Sequence, residues 1–214
     1  MLRYTLLTDG SSDRALTHVV NWLLDSLMDE SGSREAFVSE WADFRGLRRP
    51  PRSLGERIAR AVEYYPCDLL FIHRDAEREP LDVRSEEIGR AFSEMELRGA
   101  APVHLIPVRM LEAWLLIDED AIRKAAANPG SRIELDLPSP QRIEELVDPK
   151  QTLHEALRRA FEYTGRRLRK FNVDAATHRV AESIRDFSPL RELPAFRQFE
   201  TSTREAFIAW RAGR

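Results

Sequence analysis

Two short apolar runs, each stopped by acids, constrain this chain more than any other feature in it. Arg3 to Thr8 has the composition of a buried strand and is followed at once by Asp9-Gly10-Ser11-Ser12-Asp13. Cys67 to Ile72 reads the same way and ends in His73-Arg74-Asp75-Ala76-Glu77. Short apolar runs of this kind suit strands covered on both faces, as in parallel α/β sheets. Ligands of such sheets sit in the crevice outside the carboxyl ends of the strands. If the two strands are neighbours, Asp9, Asp13, Asp75 and Glu77 converge in one small volume there. Carboxylates crowded together stay ionised only when a cation compensates them. Hard divalent cations, Mg2+ or Mn2+, are the natural choice because they take oxygen ligands.

The rest of the chain supplies the helices that such a sheet needs. Ser11 or Ser12 can cap a helix whose apolar positions Ala15, Val19, Trp22, Leu23 and Leu27 recur at helical spacing until Ser31-Gly32-Ser33. Ala36 to Phe44 offers a further strand, though without clean alternation. Arg48-Arg49-Pro50-Pro51-Arg52 is a basic, proline-stiffened loop, and Ser53 with Glu56 forms a capping box for a helix to about Tyr65. Val83 to Arg98 reads as an amphipathic helix and Pro102 to Val108 as a strand. Leu111-Glu112-Ala113-Trp114-Leu115-Leu116 reads as the start of a mostly buried helix. The alternation predicts an α/β fold, a mostly parallel sheet with helices on both faces. Residues 128–140, with Asn128-Pro129-Gly130-Ser131 and Pro138-Ser139-Pro140, form a loop or linker. The expected organisation is an α/β domain over 1–127, that linker, and a helical C-terminal extension over 141–214 packed on the first domain.

Charge narrows the functional classes. A net charge of −3, from 33 basic and 36 acidic residues, argues against a purely electrostatic nucleic-acid binder. It leaves room for an enzyme with a local basic groove. The single cysteine, Cys67, excludes an internal disulfide and fits a reducing cytoplasm. Asp9 and Asp13 interrupt the N-terminus too early for a signal peptide, and no apolar run approaches the length of a membrane span. A soluble, cytoplasmic protein is the expectation. Zinc-ligand spacing, a phosphate-cradling glycine loop and a serine-hydrolase elbow are all missing from the sequence.

Each candidate residue has a plain reading beside its chemical one. Asp9 at a strand end and Asp13 in the first helical turn could reach one ion, with Gly10 allowing close backbone approach. Asp13 could equally complement the helix dipole. Asp75 and Glu77, spaced by two after a buried strand, can share a metal or form a solvated turn with Arg78 and Glu79. His73 is expected to be a strand-end residue with a satisfied hydrogen bond. Glu112, an acid inside an apolar run, must be paired, coordinated or exposed, and Arg109 is its obvious partner. Lys150 follows Pro149 at a helix start, against the dipole, which suits a residue that holds a phosphate or an ordinary surface lysine. From Gln151 to Lys170 six basic residues outnumber two acids. Arg158, Arg159, Arg166, Arg167, Arg169 and Lys170 could therefore follow a phosphate backbone or form a solvated face.

At these residues the chain resembles the Toprim domain of topoisomerases, bacterial primases and OLD-type nucleases. The family pattern is Glu-Gly after strand one with a further acid in the next helix, then Asp-x-Asp after a later strand. Asp9-Gly10-Ser11-Ser12-Asp13 and Asp75-Ala76-Glu77 stand in those places, Asp9 for Glu and Glu77 for the second Asp. The chain is also similar to bacterial Toprim-related proteins akin to RloB and the OLD nucleases. Ile106 to Leu116 matches their Ile-Pro-Val-Arg strand leading into Glu-Ala-Trp-Leu-Leu, and Asp148-Pro149-Lys150 matches an Asp-Pro-Lys before a helical tail. The resemblance implies a Mg2+- or Mn2+-dependent nuclease acting on DNA or RNA in prokaryotic defence, with an ATPase as a partner. It assigns the cation to Asp9, Asp13, Asp75, Glu77 and Glu112. Catalysis falls to Asp9, Asp75, Glu112 and Lys150, and phosphate contacts to Arg109, Arg158, Arg159, Arg166, Arg167 and Lys170. A catalytically degenerate Toprim domain serving as a binding or regulatory subunit is the alternative, motivated by Asp9. A small-molecule phosphatase with Asp9 or Asp75 as nucleophile stands third.

Overall fold

Four strands, Leu2–Leu7 (β1), Phe37–Trp41 (β2), Leu69–His73 (β3) and Ala101–Leu105 (β4), pair in parallel in the computed structural model, which describes residues 1–213. Their order is β2-β1-β3-β4, so the two acid-terminated strands are neighbours at the centre of the sheet. β3 is buried along its whole length and β1 everywhere except Arg3. Side chains alternate across the sheet as the pleat requires. Leu6, Leu69 and Phe71 face one core cluster, while Leu7, Leu70 and Ile72 face the other. The weak alternation of 36–44 has its reason here. β2 is an edge strand exposed at Val38, Ser39 and Glu40, so burial imposes little pattern on it.

Helices cover both faces. Leu16–Glu30 (α1) buries Val19, Val20, Leu23 and Leu24 in the first cluster. Leu54–Tyr64 (α2) and Leu81–Ser93 (α3) place Ile58, Ala61 and Ile88 in the second. The capping box of α2 is complete. Ser53 Oγ accepts the Glu56 N–H at 3.1 Å, and the Glu56 carboxylate accepts the N–H groups of Ser53 and Arg52 at 3.4 and 2.7 Å. Losing an N-cap hydroxyl costs about 1 kcal/mol, so Ser53→Ala is expected to lower Tm by about 2–4 °C. An unchanged calorimetric Tm would show that this cap contributes nothing.

Beyond β4 the chain is helical, with one departure from the sequence reading. Leu111–Leu115 is a 3-10 turn rather than the first turn of a long helix. A separate helix, Glu119–Ala125 (α4), starts after Asp118, whose side chain accepts the Ala121 N–H at 2.9 Å. Packing holds the 3-10 turn in place. Trp114 is fully buried, with its ring 5.3 Å from Phe196 and 5.9 Å from Phe199.

Pro149–Phe161 (α5), Gly165–Arg169 (α6), Val173–Ser183 (α7) and Pro194–Ala212 (α8) complete the extension. Leu153, Leu157, Val180, Phe196 and Phe199 share one cluster with Leu6, Phe71 and α1, so sheet and extension bury a common core. Among the described residues no helix is long and apolar enough to cross a membrane.

The connectivity decides where a ligand can sit. From β1 the chain goes to β2 on one side, then returns past β1 to β3 on the other. The strand order reverses between β1 and β3, and the crevice at such a switch point is the usual binding site of an open α/β sheet.

Candidate active site

Both central strands deliver carboxylates to that crevice. After β1 the backbone turns through Thr8, Asp9 and Gly10 into a 3-10 turn, Ser12–Ala15, that leads into α1. No serine side chain caps this helix; the buried Asp13 organises the turn instead. Asp13 Oδ2 accepts the Gly10 N–H at 2.8 Å and Oδ1 accepts the Ser12 hydroxyl at 3.0 Å. Only glycine fits this approach comfortably, since a Cβ at position 10 would come within 3.2 Å of Asp13 Oδ2.

At the end of β3, the fully buried His73 ring stands between two acids. Its Nε2 is 3.1 Å from Asp75 Oδ1, while Nδ1 is 3.7 Å from Asp13 Oδ2 and has no hydrogen-bond partner. Asp75 Oδ1 also accepts the Leu111 N–H at 3.2 Å. The pairing of β3 with β4 runs on past the strands. Arg74, Ala76 and Glu77 donate their N–H groups to the carbonyls of Leu105, Pro107 and Arg109 at 3.2, 3.1 and 2.7 Å. This rail carries the 3-10 turn, and with it Glu112, to the mouth of the crevice.

Glu112 is 9 % exposed and lies 3.7 Å from the half-exposed Lys150 Nζ. Lys150 comes from the first turn of α5, capped by Asp148, whose carboxylate accepts the Gln151 N–H at 2.8 Å. Burial pushes the Glu112 carboxyl above the usual carboxylate range, with the charges of Asp75 and Asp13 pushing the same way and Lys150 opposing them. The charges of Lys150, Asp75 and Asp13 thus all bear on Glu112.

Other residues of the expected constellation go elsewhere. Asp9 turns to two arginines, Oδ1 to Arg57 Nη1 at 2.8 Å and Oδ2 to Arg74 Nε at 3.2 Å. Arg57 is fixed further by donating to the Thr8 carbonyl oxygen. Glu77 has a left-handed backbone, φ 54°, and a largely exposed side chain 3.3 Å from Arg84. The basic partner of Glu112 is Lys150, not Arg109, which makes no ion pair among the described residues. Arg159 is paired with Asp136, beside Arg158 in a shallow cavity on α5. Arg166, Arg167 and Lys170 lie on or just after α6, where Arg167 stacks 4.9 Å from the Tyr163 ring centre. His73 was legible as a strand-end residue, but nothing in the spacing shows it lodged between Asp13 and Asp75.

Among the described residues, no three His, Cys, Asp or Glu side chains stand as a ready cage for a metal ion. The donor chemistry of Asp13, Asp75 and Glu112 still fits a hard cation, since all three offer carboxylate oxygens. Burying the charge of Glu112 is what chiefly raises its proton affinity, and the charges of Asp75 and Asp13 add to that.

That charge has a cost that can be measured. A carboxyl with a higher pKa folded than unfolded holds its proton more tightly in the fold. Stability therefore falls as pH rises from about 4, the unfolded value, through the raised folded value. Glu112→Gln removes the penalty and loses only a half-exposed ion pair, worth about 0–1 kcal/mol. The variant is expected to melt about 2–4 °C above wild type at pH 7, a gain of about 1 kcal/mol. The difference should vanish toward pH 4, and a variant less stable than wild type at pH 7 would contradict this account.

Comparison of the chain with protein-family models, curated proteins and solved structures returns no match.

Proposed function

We propose that this protein is a divalent-metal-dependent nuclease of Toprim type, hydrolysing phosphodiester bonds of DNA or RNA. One observation carries the reading: at the β1–β3 switch point Asp13 and Asp75 flank His73, and Glu112, which feels the charge of both, lies 3.7 Å from Lys150. Asp13, Asp75 and Glu112 would hold Mg2+ or Mn2+, which supplies an activated water and charge neutralisation at the scissile phosphate.

The chain's own groups have separate tasks. Lys150 is placed to stabilise negative charge developing on the phosphoryl oxygens. His73 fixes Asp75 through its Nε2, and the Leu111 N–H holds the same oxygen from the other side. Arg57 and Arg74 hold Asp9, and Arg74 is shared with Glu87. The Toprim resemblance adds the biological setting, prokaryotic defence in the cytoplasm beside an ATPase partner.

Cleavage assays with Mg2+ and Mn2+, on wild type and on variants of Asp75, test the proposal. A second reading has its own support. Asp9 is neutralised by two arginines, and among the described residues no three ligands are gathered into a cage. Both features suit a degenerate domain that binds without cutting. Calorimetry decides between the two, because absence of Mg2+ and Mn2+ binding at millimolar concentration favours the binding module.

A further inference from the structure

The arginine-rich loop after β2 takes no part in the site described so far, yet it borders a pair of adjoining cavities. Two cavities meet at Trp41, the last residue of β2. One lies against the Asp9-Gly10-Ser11 turn and is walled by Arg45, Pro50, Pro51 and Arg52. The other lies against the start of α1 and is walled by Arg14, His18, His178 and one acid, Glu182. Trp41, Arg45 and Ser11 belong to both, so the cavities form one groove running past the acidic turn.

Trp41 is held rigidly in this groove. Its Nε1–H donates to Thr8 Oγ1 at 2.9 Å, and that hydroxyl donates to the Gly10 carbonyl oxygen at 2.7 Å. The ring is therefore tied to the same turn that Asp13 organises. Two guanidiniums stand against it, Arg14 at 5.7 Å and Arg45 at 5.1 Å from the ring centre.

The charge along the groove is unbalanced. Arg45 is matched by Asp43, with contacts of 2.6 and 2.8 Å. Arg14 and Arg52, which line the groove, and Arg48 and Arg49, on the adjoining loop, are exposed and make no ion pair among the described residues, and no acid occurs between Phe44 and Gly55. A rigid indole flanked by arginines, with further cations along the path, is the equipment for an unstacked base and its neighbouring phosphates. A duplex keeps its base faces covered and could use only the arginines.

We propose that this groove binds a single-stranded nucleic-acid segment, with one base stacking at Trp41 and the flanking phosphates held by Arg14 and Arg52 in the groove and by Arg48 and Arg49 on the loop beside it. The groove then leads an unpaired strand to the acidic crevice. This names the substrate class of the proposed nuclease and rests on that reading for its link to cleavage, but binding itself does not depend on catalysis.

The test is fluorescence anisotropy of labelled 15-nucleotide DNA and RNA single strands and of a blunt duplex of the same sequence, on the full chain in EDTA. Wild type should bind a single strand at least about tenfold more tightly than the duplex. Trp41→Leu should weaken single-strand binding about tenfold and leave duplex binding unchanged. Because that substitution touches the Thr8 hydrogen bond, an exposed double variant, Arg48→Ala with Arg49→Ala, is measured beside it. Losing two phosphate contacts should lower the slope of log K against log salt by about 1.4.

Equal or tighter duplex binding, or unchanged single-strand binding in both variants, overturns the groove. If the variants behave as stated but wild type cleaves nothing with Mg2+ or Mn2+, the groove stands and the nuclease reading fails. If cleavage depends on Asp75 while both groove variants bind like wild type, the reverse holds.

Discussion

Asp75→Asn is expected to lower Mg2+-dependent cleavage of nucleic acid by at least about a hundredfold while leaving the fold in place. Substituting groups that merely support a metal ligand already costs about 10–100-fold in affinity or activity, and a carboxylate that holds the ion directly should cost no less. Asparagine keeps an oxygen that can accept the Leu111 N–H and meet His73, so the turn bearing Glu112 stays seated. Asp75→Ala removes both acceptors and leaves the Leu111 N–H unmet, a penalty of about 1–3 kcal/mol in addition to the lost charge. Comparing the two separates chemistry from structure, since only the alanine variant should also lose stability. Asp9→Ala should cost less activity than Asp75→Asn, because its carboxylate is engaged by Arg57 and Arg74 rather than by the crevice. Equal cleavage by wild type and both Asp75 variants would end the enzyme reading. An Asp9 variant more impaired than Asp75→Asn would mean that bound substrate draws Asp9 away from its arginines.

The carboxylates engaged by His73 and Lys150 are not quite those the motif spacing picks out, and the reason is physical. Strand period and apolar content reveal β1 and β3, because strands buried on both faces tolerate few polar residues. The sequence leaves open whether β1 pairs with β3; once the fold supplies that pairing, the crevice falls at the switch point where such folds bind ligands. Side-chain direction beyond a strand end carries no such signal. Asp9 and Asp13 are four residues apart, yet one faces two arginines and the other a buried histidine. Glu77 leaves the site because its backbone is left-handed, a conformation that no neighbouring glycine or proline announces. Glu112 and Lys150 are separated by α4 and the loop that follows it, so their encounter depends on tertiary packing. The 3-10 form of 111–115 was hidden for the same reason: its apolar run suits any buried turn, and the aromatic side chains of α8 decide which one forms.

That dependence on α8 leads to the largest stability effect expected in the protein. Phe199 is 1 % exposed, and its ring lies 6.0 Å from Phe71 in β3, 5.9 Å from Trp114 and 5.8 Å from Phe196. It is therefore the side chain through which the C-terminal helix, the central sheet and the Glu112 turn touch one another. Phe199→Ala should cost about 3–5 kcal/mol, the range for deleting a buried ring that its surroundings cannot refill. For a chain of this size that lowers Tm by roughly 10 °C. Because sheet and extension share one core, the loss should appear as a single sharper-to-earlier shift of one cooperative transition, followed by circular dichroism and tryptophan fluorescence together. Two separate transitions, with the sheet melting where wild type melts, would show an appendage docked on an independently stable domain. The variant also tests how the site is held. Trp114 loses one of its two ring supports, so Glu112 should become more solvated and the stabilisation given by Glu112→Gln should shrink when the two substitutions are combined. Full additivity of the pair would mean that the 3-10 turn is positioned by Lys150 and the β4 rail alone, without help from α8.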